Sequence, residues 1–228
     1  MIIDKISFTG ADDKTSIENL KVLQLKYPSV EWAILYFPER DGLARNPTIA
    51  WREKFYQAKL NSAMHLCGSG INDFAEGKAE LLLEIKNFQR IQINLKPRWA
   101  SQELVEAVIK QCKKFPQIQF ITQHNDNNIA FIPLWQELKN HGFLFDASLG
   151  KGLTPEVWPE PVANKDCGYA GGLSPENISI ELAKIRTTVD NSNNQSKYKI
   201  WIDMESGVRT NDEFDLLKIQ YILDVIYQ

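Results

Sequence analysis

The chain has 228 residues, 43% of them hydrophobic and 24% charged, proportions of a globular protein that exclude a disordered, collagen-like or disulfide-scaffold chain. Its 26 basic and 29 acidic side chains leave a net charge of −3, so no basic excess marks a nucleic-acid partner, while small neutral or anionic ligands stay open. The length is a little under the roughly 250 residues of a typical (β/α)8 barrel and suits one domain over residues 1–228 rather than two.

Cys67, Cys112 and Cys167 are the three cysteines, with no C-x-x-C pair, which points to free thiols in a reducing compartment. The opening MIIDKISFTG turns polar too soon for a signal peptide, and no apolar run approaches the roughly 18 residues of a membrane helix. The expectation is a cytoplasmic protein with no membrane partner.

In chain order, β-rich runs alternate with amphipathic ones. Strands are expected at 3–9, 31–37, 62–67, 90–95, 118–122, 143–148, 167–171 and 199–204. Between them, helices are expected at 15–26 behind a Thr15–Glu18 capping box, at 47–60, at 70–83, after a Ser101 N-cap with Leu104, Val108 and Cys112 on its buried face, and at 129–140. The His141-Gly142 pair reads as the stop of that last helix. The sixth connection, with Thr154-Pro155 and Trp158-Pro159, predicts one helical turn at most, and 190–197 reads as a surface loop. A final helix is expected to present Phe214, Leu217 and Tyr221 on one face behind a Thr210–Glu213 capping box. Eight strands alternating with seven or eight helices imply a parallel sheet closed into a TIM barrel with a reduced sixth helix. The competitor, an open doubly wound sheet, lacks its glycine fingerprint, because SFTGADD is not G-x-G-x-x-G.

In a barrel, chemistry belongs to the C-terminal strand ends and the loops after them. After strand one, Asp12 and Asp13 are not needed as caps and are left for a ligand, or form a solvated acidic turn. After strand two, Arg40 and Arg45 offer guanidinium forks for a carboxylate or phosphate. On strand three, His65 and Cys67 share one face; His65 suits acid–base work, or is a satisfied core residue, and Cys67-Gly68 reads as a small buried thiol beside a turn. Gln92, Asn94, Gln123, His124 and Asn125 are polar groups able to orient a hydroxylated ligand.

Asp146, a carboxylate inside FLFDAS, is expected to have its pKa raised by desolvation toward that of a general acid, the alternative being a buried hydrogen-bonded strut. In YAGGLSPENI, Gly171 and Gly172 admit close backbone approach, with Ser174 as N-cap and Pro175 in the first helical position of an anion-binding helix start. In IDMESGVRT, the Ser206-Gly207 turn falls where barrels complete a phosphate site. Asp203 and Glu205 share a strand face as a second carboxylate function, or pair with Arg209. No cofactor and no metal is expected, since no His or Asp cluster has convincing ligand spacing.

YAGGLSPENI and IDMESGV resemble the strand-seven and strand-eight phosphate loops of phosphoribosylanthranilate isomerases. HLCG resembles that family's histidine-glycine turn, and Asp146 of FDAS matches its general acid. The resemblance implies a TIM barrel whose acid and a cysteine base drive an Amadori rearrangement of a phosphorylated ribosylamine. The chain departs from it at Lys5-Ile6-Ser7-Phe8, where serine stands in place of the cysteine base; a hydroxyl is a far weaker acid than a thiol and has no adjacent histidine in sequence to activate it. GADD, EWAILYFP, HLCG and WIDMESGVR are similar to signatures of a bacterial group related to these isomerases, for which the resemblance implies no activity.

The functional expectation is a barrel that binds a small phosphorylated or anionic metabolite and performs isomerase or lyase chemistry. Asp146 would be the acid, Asp12, His65 or Asp203 the base, and Arg40 or Arg45 the carboxylate clamp. The alternative is a non-catalytic ligand-binding or interaction barrel.

Overall fold

A computed structural model describes residues 2–95, 100–125, 128–146, 152–192 and 199–228. Strand pairing decides between the two sheet topologies. β1 (Ile3–Thr9), β2 (Val30–Tyr36), β3 (Ser62–Leu66), β4 (Arg90–Ile93), β5 (Gln119–His124), β6 (His141–Asp146), β7 (Asp166–Ala170) and β8 (Ile200–Met204) form a closed barrel. The closing pair is parallel, with Ser7 opposite Asp203, so the open sheet is excluded. Outside lie α1 (Ile17–Lys26), α2 (Ile49–Gln57), α3 (Gly70–Glu76), α4 (Ala79–Glu84), α5 (Gln102–Cys112), α6 (Ile132–Gln136), α7 (Ile178–Asn191) and α8 (Leu216–Ile226). The sixth connection has no helix among its described residues, 152–165. Ala147 and Ser148, assigned above to strand six, and residues 193–197 of the expected loop lie outside the described residues. None of the described helices is long and apolar enough to cross a membrane.

Several element ends differ from the sequence expectation for local reasons. The N-cap of α1 is Ser16, whose side chain accepts from the Asn19 amide, while Thr15 Oγ1 accepts from the Asp12 amide instead of capping. The helix expected at 70–83 is split by Gly77, which ends α3 in the left-handed region at φ 77°. The helix expected at 129–140 is a 3-10 turn, Ile129–Phe131, followed by the short α6. His141 and Gly142 are therefore strand residues and not a helix stop. The last helix is capped by Asp215, which accepts from the Leu217 and Lys218 amides. Its buried face is Ile219, Ile222 and Leu223, while Leu217 and Tyr221 are exposed. Thr210 and Glu213, expected to form its capping box, pair instead across an antiparallel ribbon, β9 (Arg209–Thr210) with β10 (Glu213–Phe214).

Side chains alternate along each strand, so the register separates two interiors. Outward residues such as Phe8, Trp32, Met64, Phe120 and Ile202 pack under the helices in the main core. Inward residues fill the barrel, where Ile121, Leu144, Ala170 and Trp201 form a separate small apolar cluster. Trp201 is the plug. A methyl group built on Gly168 would lie 2.1 Å from Trp201 Cε2, and one on Gly142 would lie 3.1 Å from Cη2, so both glycines are notches for the indole. Against its ring lies the Arg90 guanidinium, 4.2 Å from the centroid, and Arg90 Nη1 donates to Glu31 Oε1 at 3.1 Å. The plug floors the barrel and confines any inner site to the C-terminal end.

Candidate active site

One inner row runs Glu31, Ser7, Asp203, Ala170, Asp146 across β2, β1, β8, β7 and β6. It brings together two carboxylates. Asp146 Oδ2 accepts from Gln123 Nε2 at 3.2 Å, and Asp203 Oδ1 accepts from the Thr9 hydroxyl at 2.7 Å. Each aspartate keeps 9% of its surface accessible. The strand between them contributes only the Ala170 methyl at this level, and at about 4.8 Å per strand the two backbones stand about 10 Å apart. Burial pushes the Asp203 carboxyl up to about 7; the Thr9 hydrogen bond and Arg90 hold it down, while Glu31 and Asp146 add to the rise.

His65 also points inward, 3% exposed, with Nδ1 3.4 Å from Gln92 Nε2. Burial lowers its pKa to about 4, so the ring is neutral at pH 7. Gln92 Nε2 also donates to Asn94 Oδ1 at 2.8 Å, and Asn94 Nδ2 donates to Cys67 Sγ at 3.2 Å, a polar chain climbing to the mouth. Cys67 is half-buried and not the fully buried thiol expected. Of the strand-five trio, Gln123 faces inward, whereas His124 packs outward against Phe143 and Phe145, with centroids 5.4 and 4.9 Å away.

A histidine held neutral in the fold but charged when unfolded makes stability depend on pH. With a folded value near 4 against 6.5 for the free side chain, the contribution of His65 is fully present above about 6.5 and is lost as pH falls toward 4. Wild type should lose about 3 kcal/mol from this residue over that window, at about 1.4 kcal/mol per pH unit. The buried His141, also shifted well down by burial, acts in the same direction, and Asp203 opposes both. Urea melts of His65→Gln between pH 4.5 and 7.5 should show a flatter acid limb than wild type. Parallel limbs would mean that His65 is not held neutral.

The acidic turn after β1 has a structural use that the sequence reading did not give it. Asp12 accepts from the Lys14 amide at 3.2 Å and the Arg45 amide at 2.8 Å, and lies 3.3 Å from Arg209 Nη2. Asp13 accepts from the Thr48 amide at 2.8 Å and from its hydroxyl. These carboxylates tie three loops together, so neither is left free for a ligand. Arg209 also donates to the Gly10 carbonyl at 2.7 Å, and its partners are Asp12 and Asp212 rather than Asp203 or Glu205. Glu205 pairs with Arg45 at 2.8 Å, and Arg45 holds Asp212 at 2.7 Å with its own backbone left-handed, at φ 71°. The exposed Arg40 lies over the Phe37 ring, 5.0 Å from its centroid.

The glycine loops after β7 and β8 meet. A methyl group on Gly207 would stand 2.1 Å from the Leu173 carbonyl oxygen, while one on Gly172 would stand 2.5 Å from the Thr154 amide nitrogen of the sixth connection, so Gly172 packs against a third loop. Both Gly171 and Gly172 have positive φ, 112° and 65°. Ser174 is not the N-cap, and Pro175 is not the first helical residue. Asn177 Oδ1 accepts from the Ser174 amide and its Nδ2 donates to the Gly172 carbonyl, so a turn precedes α7 and delays its start to Ile178. A 3-10 turn, Ser206–Val208, follows β8. Among the described residues, no group of three His, Cys, Asp or Glu side chains could hold a metal ion.

The comparisons with known proteins bear on the barrel as a whole. No family model and no curated protein matches the chain. Solved structures do, among them these three. TrpF from Jonesia denitrificans is 16% identical with a TM-score of 0.64, over 98% of this chain and 96% of that one. The fold of this chain is similar to those of phosphoribosylanthranilate isomerase structures. N-(5'-phosphoribosyl)anthranilate isomerase from Pyrococcus furiosus is 13% identical, TM-score 0.57, over 98% of both chains. Phosphoribosyl anthranilate isomerase from Thermococcus kodakaraensis is 12% identical, TM-score 0.56, over 98% of this chain and 99% of that one. Identities this low speak for the fold alone. Within that fold, Ser7 faces inward, is 2% exposed, and sits beside Asp203 in register.

The sequence reading missed three inward residues, Thr9, Glu31 and Arg90. Glu31 and Arg90 stand at the starts of EWAILYF and RIQINL, where a charged residue looks like a strand end reaching water.

Proposed function

We propose that this protein is an acid–base isomerase acting on a small phosphorylated metabolite at the barrel mouth. The observation that carries the reading is the placement of Asp146 and Asp203 on one inner row with only Ala170 between them. Two carboxyl groups flanking a bound substrate can move a proton between its adjacent atoms, one donating while the other accepts. Asp146 is the acid. Asp203 is the base, because a carboxyl raised to about 7 holds a proton more firmly than an ordinary carboxylate and still ionises at neutral pH. Of the other base candidates, His65 is too weakly basic, and Asp12 is engaged in the loop network. The base function then lies on the strand beside Ser7, where the resemblance implies a cysteine.

The phosphate is read onto the Gly172 and Gly207 loops by their place after β7 and β8, with Gly207 close enough to the Leu173 carbonyl oxygen to bring the two together. Arg45 takes a second anionic group in exchange for its carboxylate partner Glu205.

The experiment is solvent exchange in heavy water. Phosphorylated ribosylamines and aldose phosphates are incubated with the protein, and deuterium uptake next to the carbonyl or imine carbon is followed by NMR. Wild type is expected to incorporate deuterium, and Asp146→Asn and Asp203→Asn are each expected to slow it about 100-fold or more. Rates unchanged in both variants would sink the assignment. Complementation of a tryptophan auxotroph tests the reaction named for the neighbours. Ser7 favours a second reading, a binding barrel without turnover. Its signature is thermal stabilisation by phosphosugars with no deuterium uptake.

A further inference from the structure

We infer that Thr9 is the positioning residue of Asp203, fixing one oxygen of the carboxylate so that the other is presented to the barrel mouth. This rests on the reading of Asp203 as the base. The two side chains come from β1 and β8, the strands whose pairing closes the barrel, and the hydroxyl donates to Oδ1 at 2.7 Å. Thr9 has no accessible surface, whereas Asp203 keeps 9%, so Thr9 can act on a ligand only through Asp203.

A buried carboxylate on a strand has two free torsions and a two-fold ambiguity at its tip. A short hydrogen bond from a side chain that is itself immobile removes that ambiguity. Thr is β-branched and therefore stiff at χ1, which makes it a better anchor than serine and leaves serine able to make the same bond with more freedom. The donor also favours the ionised carboxylate, which a base needs, against the burial that disfavours it.

The other groups near Asp203 are accounted for strand by strand. Glu31 comes from β2, Arg90 from β4 and Asp146 from β6. The two neighbouring strands present uncharged Ser7 and Ala170 at the same level, with Lys5 one inner position below Ser7. Replacing Thr9 leaves all of these charges in place, so a change in Asp203 reports on the hydroxyl.

The test is a carbon-13 NMR titration of the aspartate carboxyls in the full chain without substrate, with Asp203→Asn identifying the resonance. Thr9→Val, which keeps the shape and removes the donor, is expected to raise the Asp203 midpoint by about one pH unit, a tenfold drop in ionised fraction below the midpoint. Thr9→Ser is expected to return it close to wild type. If Thr9→Val does not fold, Thr9→Cys, a weaker donor, should give a smaller shift in the same direction. A midpoint unmoved by the Val or Cys substitution, or not restored by serine, overturns the inference. Should the exchange experiment find no turnover, the enzymatic reading fails while the titration still decides whether Thr9 governs Asp203. Where turnover is found, the pKa on the acidic limb of its kcat/KM profile, which reports ionisation of the base, should move with the midpoint in Thr9→Val.

Discussion

Truncating Glu31 to alanine is expected to cost about 3–5 kcal/mol of folding stability, the range for breaking a buried ion pair by removing one partner. Glu31 is 2% exposed and Arg90 4%, and Arg90 Nη1 donates to the Glu31 carboxylate at 3.1 Å. Among the described residues, Nε and Nη2 of Arg90 have no hydrogen-bond partner. The rest of the guanidinium's compensation comes from the Trp201 ring, 4.2 Å away. Removing the carboxylate leaves a cation inside the barrel with an aromatic face as its support. Urea denaturation of Glu31→Ala should show a midpoint well below wild type with an unchanged slope. The double variant Glu31→Ala, Arg90→Met should recover most of the loss, because the uncompensated charge is gone. A single variant within about 1 kcal/mol of wild type, less than breaking a buried pair costs, would mean that water reaches the pair.

That pair also marks the limit of the sequence reading. Eight strands, their order and the weak sixth connection were legible because strand periodicity and turn residues are local signals. Whether Glu31 and Arg90 face the barrel or the helices was not, since a strand buried on both sides shows no clean alternation. Trp201 and its notches are a case in point. Gly142 looked like a helix stop, yet its role is to clear space for an indole 59 residues further along the chain, a contact that exists only once β6, β7 and β8 are in register.

The site divides along the same line. Asp146 was visible as a carboxylate in an apolar run, Asp203 as one of two carboxylates sharing a strand face with Glu205, and the glycine turns after β7 and β8 by their composition. The loop network was not visible. Asp12, Arg45, Arg209, Asp212 and Glu205 come from three separate loops; the sequence offered Asp12 and Arg45 as separate ligand groups, Glu205 as a second carboxylate or a partner of Arg209, and gave no role to Asp212. In the folded chain most of their charge is spent on one another, which holds the loops at the mouth in a fixed arrangement before any ligand arrives. Asp212, Glu205 and Arg45 are the members with room to exchange partners, at side-chain exposures of 53%, 38% and 31%. That leaves Arg45 and its two carboxylate partners as the point where a ligand can enter the network without dismantling it.

Asp203→Asn is expected to separate stability from function. The folded carboxyl titrates near 7 against about 4 when unfolded, so the native state binds a proton that the unfolded state gives up. Such a group supports the fold fully below about pH 4, and its support is lost as pH rises to 7, beyond which the whole cost of burying the anion is borne. Asparagine has nearly the same shape, can still accept from the Thr9 hydroxyl, and never ionises. Relative to wild type, the variant should therefore gain about 3 kcal/mol between pH 5 and pH 8, at about 1.4 kcal/mol per pH unit over the titrating part of that window. Paired urea melts at the two values give the difference directly, and packing changes common to both cancel. A gain that does not grow with pH would show that Asp203 ionises in the fold as easily as in water, and a base with an ordinary carboxylate pKa would lose the match to neutral pH on which its role depends. A gain that grows as expected, together with loss of deuterium exchange, would identify a residue kept at a cost to the fold for what it does to the substrate.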